Sequence, residues 1–188
     1  YTDPYFYKLP QFFVDKKIDS ILIADIISDY EKNIKKMAND SSYLMVTLEY
    51  FFSFFDLCQS VITSIKKRLR VKERIMWEKR DLTQLVIDEN EENFFSTKFL
   101  ENMLYFFKLR NFIQNIDIKV YIQTFENYAW EKMCLLAIQQ SGKKIKTIGF
   151  QHAFISKNSF RYFLGSKDLP RLPGPDKILT MGKATRRI

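Results

Sequence analysis

The tightest constraint on this chain is an alternation of patterns over residues 118–152. IKVYIQTF (118–125) is rich in β-branched and aromatic residues and predicts a strand. ENYAWEKMCLLAIQQSG (126–142) has helical spacing, with Trp130, Met133, Cys134, Ala137 and Ile138 on one face, and Gly142 suits a helix stop. IKTIGFQH (145–152) then predicts a second strand. Strands joined by a helical crossover pair in parallel, so this stretch predicts a β-α-β unit. The same order occurs earlier. SILIADII (20–27) and YLMVTLE (43–49) read as strands buried on both faces, flanking a helix over SDYEKNIKKMAND (28–40) with Ser28 or Asp29 as its cap. KILTMG (177–182) predicts a last strand. The expected class is α/β with a parallel sheet.

The middle of the chain differs. Residues 50–115 contain neither Gly nor Pro. Their spacing predicts two or three long helices, broken near DENEEN (88–93). One apolar stripe runs through Phe51, Phe54, Phe55, Cys58, Val61, Ile62, Ile65 and Leu69. Another runs through Phe95, Phe99, Met103, Phe106, Phe107 and Ile113. We read both as faces packed into the core, so the expected architecture is a sheet with a long helical insertion at about 50–115. Near the N-terminus, Pro4 and Pro10 bracket a loop, and Leu9, Phe12, Phe13 and Ile18 predict a short amphipathic turn or helix. Near the other end, LPRLPGPD (169–176) reads as a linker. This predicts one domain over 1–170 and the opening strand and helix start of a second over 171–188.

A net charge of +8 favours an anionic partner. The cations cluster in KKRLRVKER (66–74), at Lys143–Lys144 and in KATRRI (183–188), and a solvated helix face explains the first cluster as well as a binding site does. Nothing interleaves these clusters as a nucleic-acid groove requires, and no DNA-binding signature occurs, so no nucleic-acid partner is expected. Cys58 and Cys134 stand apart in apolar surroundings, which predicts buried free thiols in a reducing cytoplasm. With one His and two distant Cys in the whole chain, no metal site is expected. The most apolar stretch, SSYLMVTLEYFFSFFDLC (41–58), is interrupted by Glu49 and Asp56, so no membrane span is expected. A basic amphipathic helix can still lie against an anionic membrane at its inner, cytoplasmic face.

Ligands of parallel α/β sheets bind beyond the carboxyl ends of the strands. There the sequence places Glu126, Gln151, His152 and the 183–187 segment, together with Asp3 if a strand precedes Tyr1. Glu126, read into the first helical turn, is a candidate base. The helix dipole alone would stabilise such a carboxylate by about 0.3–1 kcal/mol, with no chemistry required. His152 suits a base or a charged donor to phosphate, and equally a hydrogen-bonded structural role. Lys183, Arg186 and Arg187 at the start of a helix suit a phosphate or a solvated end. No dinucleotide-binding, P-loop, zincin or nucleophile-elbow motif occurs.

FENYAWEKMCLLAIQQSGKKIKTIGFQHAFIS (125–156) resembles a segment of bacterial surface-carbohydrate glycosyltransferases of the GT-B type, where an acidic residue, a W-E pair and a G-(F/Y)-Q-H strand end recur in order. TDPYFYKLPQFF resembles their opening loop, and LPGPDKILTMGKAT their passage into the second domain. The resemblance covers the two ends of the chain and says little about the helical middle. It implies a Rossmann-like N-terminal half of a GT-B fold and metal-independent transfer of a sugar from a nucleotide-sugar donor to a glycan or lipid-linked acceptor, with no further cofactor. It implies Glu126, or Asp3, as the base, His152 in support of the departing phosphate, and Gln151, Tyr128, Lys183 and Arg186 as substrate-binding residues. Most of the donor-binding half that such enzymes carry would lie beyond Ile188. A polyol-phosphate transferase of related fold and a non-catalytic module binding a membrane or partner are the other readings.

Overall fold

The computed structural model describes residues 6, 8–24, 29–39, 43–66, 74–95, 97–151 and 172–180, leaving aside the side chains of Trp77 and Phe95. They form a mixed α/β structure with short parallel sheets and six helices. In chain order these are α1 (Leu9–Asp15), β1 (Ile21–Ala24), α2 (Tyr30–Asn39), β2 (Leu44–Thr47), a 3-10 turn (Leu48–Phe51), α3 (Phe54–Lys66), β3 (Met76–Trp77), β4 (Arg80–Asp81), α4 (Thr83–Phe95), α5 (Lys98–Asn115), β5 (Val120–Thr124), α6 (Ala129–Gln140), β6 (Lys146–Gln151) and β7 (Lys177–Thr180).

Both β-α-β readings are found as parallel pairs. β1 pairs with β2 from Ile21↔Leu44 to Ala24↔Thr47, and β5 with β6 from Val120↔Lys146 to Thr124↔Phe150. Among the described residues these pairs belong to separate sheets rather than one. β1 and β2 are also less enclosed than their apolar runs predict. All four β1 residues are half-buried, and Leu44 opens β2 exposed. Ile21, Ile23 and Val46 nevertheless pack against the main core, alternate β1 residues facing inward as strand geometry requires.

β7 joins β6 in parallel, from Ile148↔Lys177 to Gln151↔Thr180. The strand read as the opening of a second domain after the proline-rich linker instead pairs as the third of the β5-β6-β7 sheet. The Asp176 carboxylate fixes its approach, accepting the Thr147 N–H at 2.7 Å and the Thr147 hydroxyl at 2.9 Å. Those two donors, the backbone one first, hold the Asp176 carboxyl below its usual range. Gly149 is needed where the layers meet: a Cβ there would stand 2.9 Å from Phe125 Cβ and 3.0 Å from Pro175 Cγ.

The core is built by α5 and α6. Met103, Phe106, Phe107, Leu109, Phe112 and Ile113 from α5 meet Cys134, Ala137 and Ile138 from α6. Trp130 and Met133 close over the edge, and Gly142 ends the helix region at φ +71°. The α5 stripe is therefore core, as its spacing predicts, and Cys134 is a buried free thiol while Cys58 is half-buried.

Three readings of the middle segment need correction. DENEEN does not break a helix: α4 runs through it, because Glu is a good helix former and an acidic face is simply solvated. The boundary falls at Thr97, whose φ of +65° departs from the helix. A β3-β4 hairpin interrupts the helical region, its Glu78 and Lys79 both at positive φ as a two-residue hairpin turn demands. Neither residue is a Gly, Asn or Asp, so the usual turn signal is missing.

The largest correction concerns α3. Its apolar stripe faces outward: Phe54, Phe55, Val61, Ile62 and Ile65 are exposed, while Asp56, Ser60 and Ser64 are buried against α5. Asp56 explains the inversion. With Ser53 it forms a capping box, each side chain bonded to the other's backbone N–H, and it also meets Asn111 Nδ2 at 2.8 Å and Arg110 Nη2 at 3.5 Å on α5. The Ser60 and Ser64 hydroxyls return to the carbonyls four residues back, leaving a small inner face. Polar pairing, not apolar periodicity, sets which side of α3 turns inward.

Candidate functional site

The carboxyl ends of β5, β6 and β7 lie level. Thr124 is opposite Phe150, Gln151 is opposite Thr180, and the Phe125 N–H reaches the Phe150 carbonyl at 2.9 Å. Glu126 and Gln151 therefore stand at neighbouring positions on one edge of one sheet, as the strand-end reading expects. Glu126 is half-buried, Gln151 is only 1% exposed, and Tyr128 is 43% exposed on the turn between β5 and α6. Asp3, His152, Lys183 and Arg186 lie outside the described residues. His152 is nonetheless the residue bonded to Gln151 at the end of β6.

Glu126 is not in the first turn of α6, as its sequence position suggested. The helix starts at Ala129, and Glu126 belongs to the turn that leads into it. Asn127 bends that turn at φ +61°, a conformation Asn tolerates better than most residues. The acidic residue of the first helical turn is Glu131.

Glu131 organises the edge. Its side chain is 1% exposed, yet it is ringed by donors. The Glu126 N–H lies 3.0 Å from both carboxylate oxygens, the Tyr128 N–H meets Oε2 at 2.9 Å, and the Thr124 hydroxyl meets Oε1 at 3.0 Å. The Asn127 N–H adds to this set. Burial pushes the Glu131 carboxyl up from its ordinary value, and the backbone and Thr124 donors oppose that rise without cancelling it. Gln123, one layer below, donates from Nε2 to the Glu131 carbonyl at 3.2 Å. One buried carboxylate thus joins the end of β5, the turn and the start of α6.

This has a chemical consequence. The N-terminus of a helix after a parallel strand is a ready anion site, because its N–H groups point outward unpaired. Here the N–H groups of the turn before the helix, from Glu126, Asn127 and Tyr128, are already committed to Glu131, so those three are closed to a ligand phosphate unless a buried side chain is displaced. The turn instead holds Glu126 in place next to the end of β6, with Tyr128 following at the start of α6. Residue patterns alone missed this role: Glu131 stands out only in the W-E pair of the resemblance. The available signal was its place three residues after the cap position Tyr128, where a Glu reaches back to the turn.

No family model, curated protein or solved structure matches this chain. Among the described residues, no helix is long and apolar enough to cross a membrane.

Proposed function

We propose that this chain is the Rossmann-like, acceptor-side half of a GT-B glycosyltransferase acting on a surface glycan or glycolipid. The observation that carries the reading is the level edge of β5, β6 and β7, which sets Glu126 beside Gln151 and leads directly into His152. The order of short motifs at 125–156 supports the same assignment. So does the turn before α6, which Glu131 holds in place and which carries Glu126, because a half that positions an acceptor hydroxyl needs a fixed carboxylate.

In this reading Glu126, or Asp3 from the opening loop, takes the acceptor hydroxyl proton as the oxygen attacks the sugar carbon. The nucleotide phosphate departs with the bonding electrons. His152 and the cations Lys183 and Arg186 offset the charge that grows on that phosphate, while Gln151 and Tyr128 hold the substrate. The protein then works in the cytoplasm, where nucleotide sugars are the donors.

Thermal melts of the whole protein against a panel of nucleotide sugars test this. Binding at about 100 times Kd stabilises by about 2.7 kcal/mol, a shift of several degrees. A rise with one nucleotide class is the expected result and names the donor. A rise with an activated polyol phosphate instead would move the assignment to the related polymer transferases. No rise with any of them, in a folded protein, would favour a non-catalytic module.

A further inference from the structure

We propose that the outer face of α3 docks on an anionic lipid membrane, lying in its surface rather than crossing it. This stands independently of the transfer chemistry. Phe54, Phe55, Val61, Ile62 and Ile65 form one continuous side of the helix, and Phe55 and Ile65 are 72% and 62% exposed. An outward apolar stripe of this kind marks an interaction surface. The buried side of the same helix is Asp56, Ser60 and Ser64, tied to α5 and to the helix backbone. Turning the helix over to bury the stripe would break the bonds of Asp56 to Asn111 and Arg110, so the fold holds the stripe outward.

Charge selects the occupant. Between Phe54 and Lys72 the sequence carries five cations, Lys66, Lys67, Arg68, Arg70 and Lys72, and one acid, Asp56. The acid is turned inward, and Lys66 ends α3 exposed. Lys67, Arg68, Arg70 and Lys72 follow Lys66 directly in the sequence. A surface that takes apolar side chains along the helix and attracts clustered Lys and Arg at one end is an acidic phospholipid interface. A helix of 13 residues is about 20 Å long, short of a roughly 30 Å hydrocarbon core, so it lies on the bilayer.

The test is flotation of the full chain with phosphatidylcholine vesicles, with and without phosphatidylglycerol. The chain is expected to float with the anionic vesicles and to be released by high salt. The variant Val61→Ser, Ile62→Ser, Ile65→Ser should bind about ten-fold or more weakly with an unchanged melting temperature. Should that triple variant melt early, the single Ile65→Glu change at an exposed position serves in its place, with the same loss expected. The proposal is overturned by failure to float with anionic vesicles, by equal flotation with the neutral ones, or by binding that survives the substitutions in a folded variant. It is also overturned if the chain stays off vesicles and sediments as a dimer that these substitutions dissociate, which would give the face to a second copy.

Discussion

Replacing Glu131 with Ala is expected to cost about 3 kcal/mol of stability, a large share of the roughly 5–15 kcal/mol that holds a domain of this size together. The loss comes from the donors left behind. The Thr124 hydroxyl and the Glu126 and Tyr128 N–H groups all lose an acceptor. Each orphaned donor costs about 1–3 kcal/mol when fully buried, and water reaching the exposed Tyr128 side of the turn returns part of the sum. Glu131→Gln keeps one acceptor oxygen and should lose about half as much. Chemical denaturation of the two variants beside the wild type reads this directly.

The same residue sets a pH dependence. Because burial raises the folded-state value above the ordinary 4.5, the folded protein holds this proton more tightly than the unfolded chain. The part of its contribution linked to that proton is therefore fully present below about pH 4.5, and it is lost as pH rises through the folded-state value. The stability advantage of wild type over Glu131→Gln should shrink across that window. An advantage that grew with pH would mean that the donor ring outweighs burial.

Phe112→Ala is the second large effect, at about 3–5 kcal/mol. Phe112 is 1% exposed between the wholly buried Leu109 and Ile113. Its ring meets Phe51 edge-on, with centroids 5.2 Å apart and planes at 88°. Truncation leaves a cavity at the junction of α5 with the 3-10 turn that follows β2. A Phe→Ser change at the exposed Phe55 supplies the contrast and should stay within about 0.5 kcal/mol. Equal losses at the two positions, read by thermal or denaturant unfolding, would mean that α3 packs with its stripe inward.

That contrast also shows where sequence patterns stop being informative. The β-α-β segments are legible because β-branched runs, helical spacing and Gly142 all point the same way, and α5 is legible because its stripe is long and flanked by polar residues. The stripe on α3 is just as regular, yet regularity says only that a helix has two faces. Which face turns inward is decided by Asp56 and its partners Asn111 and Arg110, some 55 residues away in the chain. The hairpin at Met76–Asp81 carries no turn signal in the sequence, because Glu78 and Lys79 take positive φ without being the residues that usually do so. At the site, Glu126 and Gln151 were readable as strand-end positions. The structural role of Glu131 was hidden, because a Glu on a helix looks solvent-facing until the turn before it folds back over its carboxylate.

The most direct test of the strand-end site is the sugar-transfer rate of the whole protein carrying Glu126→Ala or His152→Ala, measured with the donor that the melts identify. Loss of a positioned acid or base costs about 10²–10⁴-fold in rate. The expected result is a loss of that size in each variant, with melting temperatures close to wild type; Glu126→Ala keeps the backbone N–H that Glu131 accepts. Folded variants that transfer sugar at the wild-type rate would contradict the assignment of this sheet edge as the catalytic site.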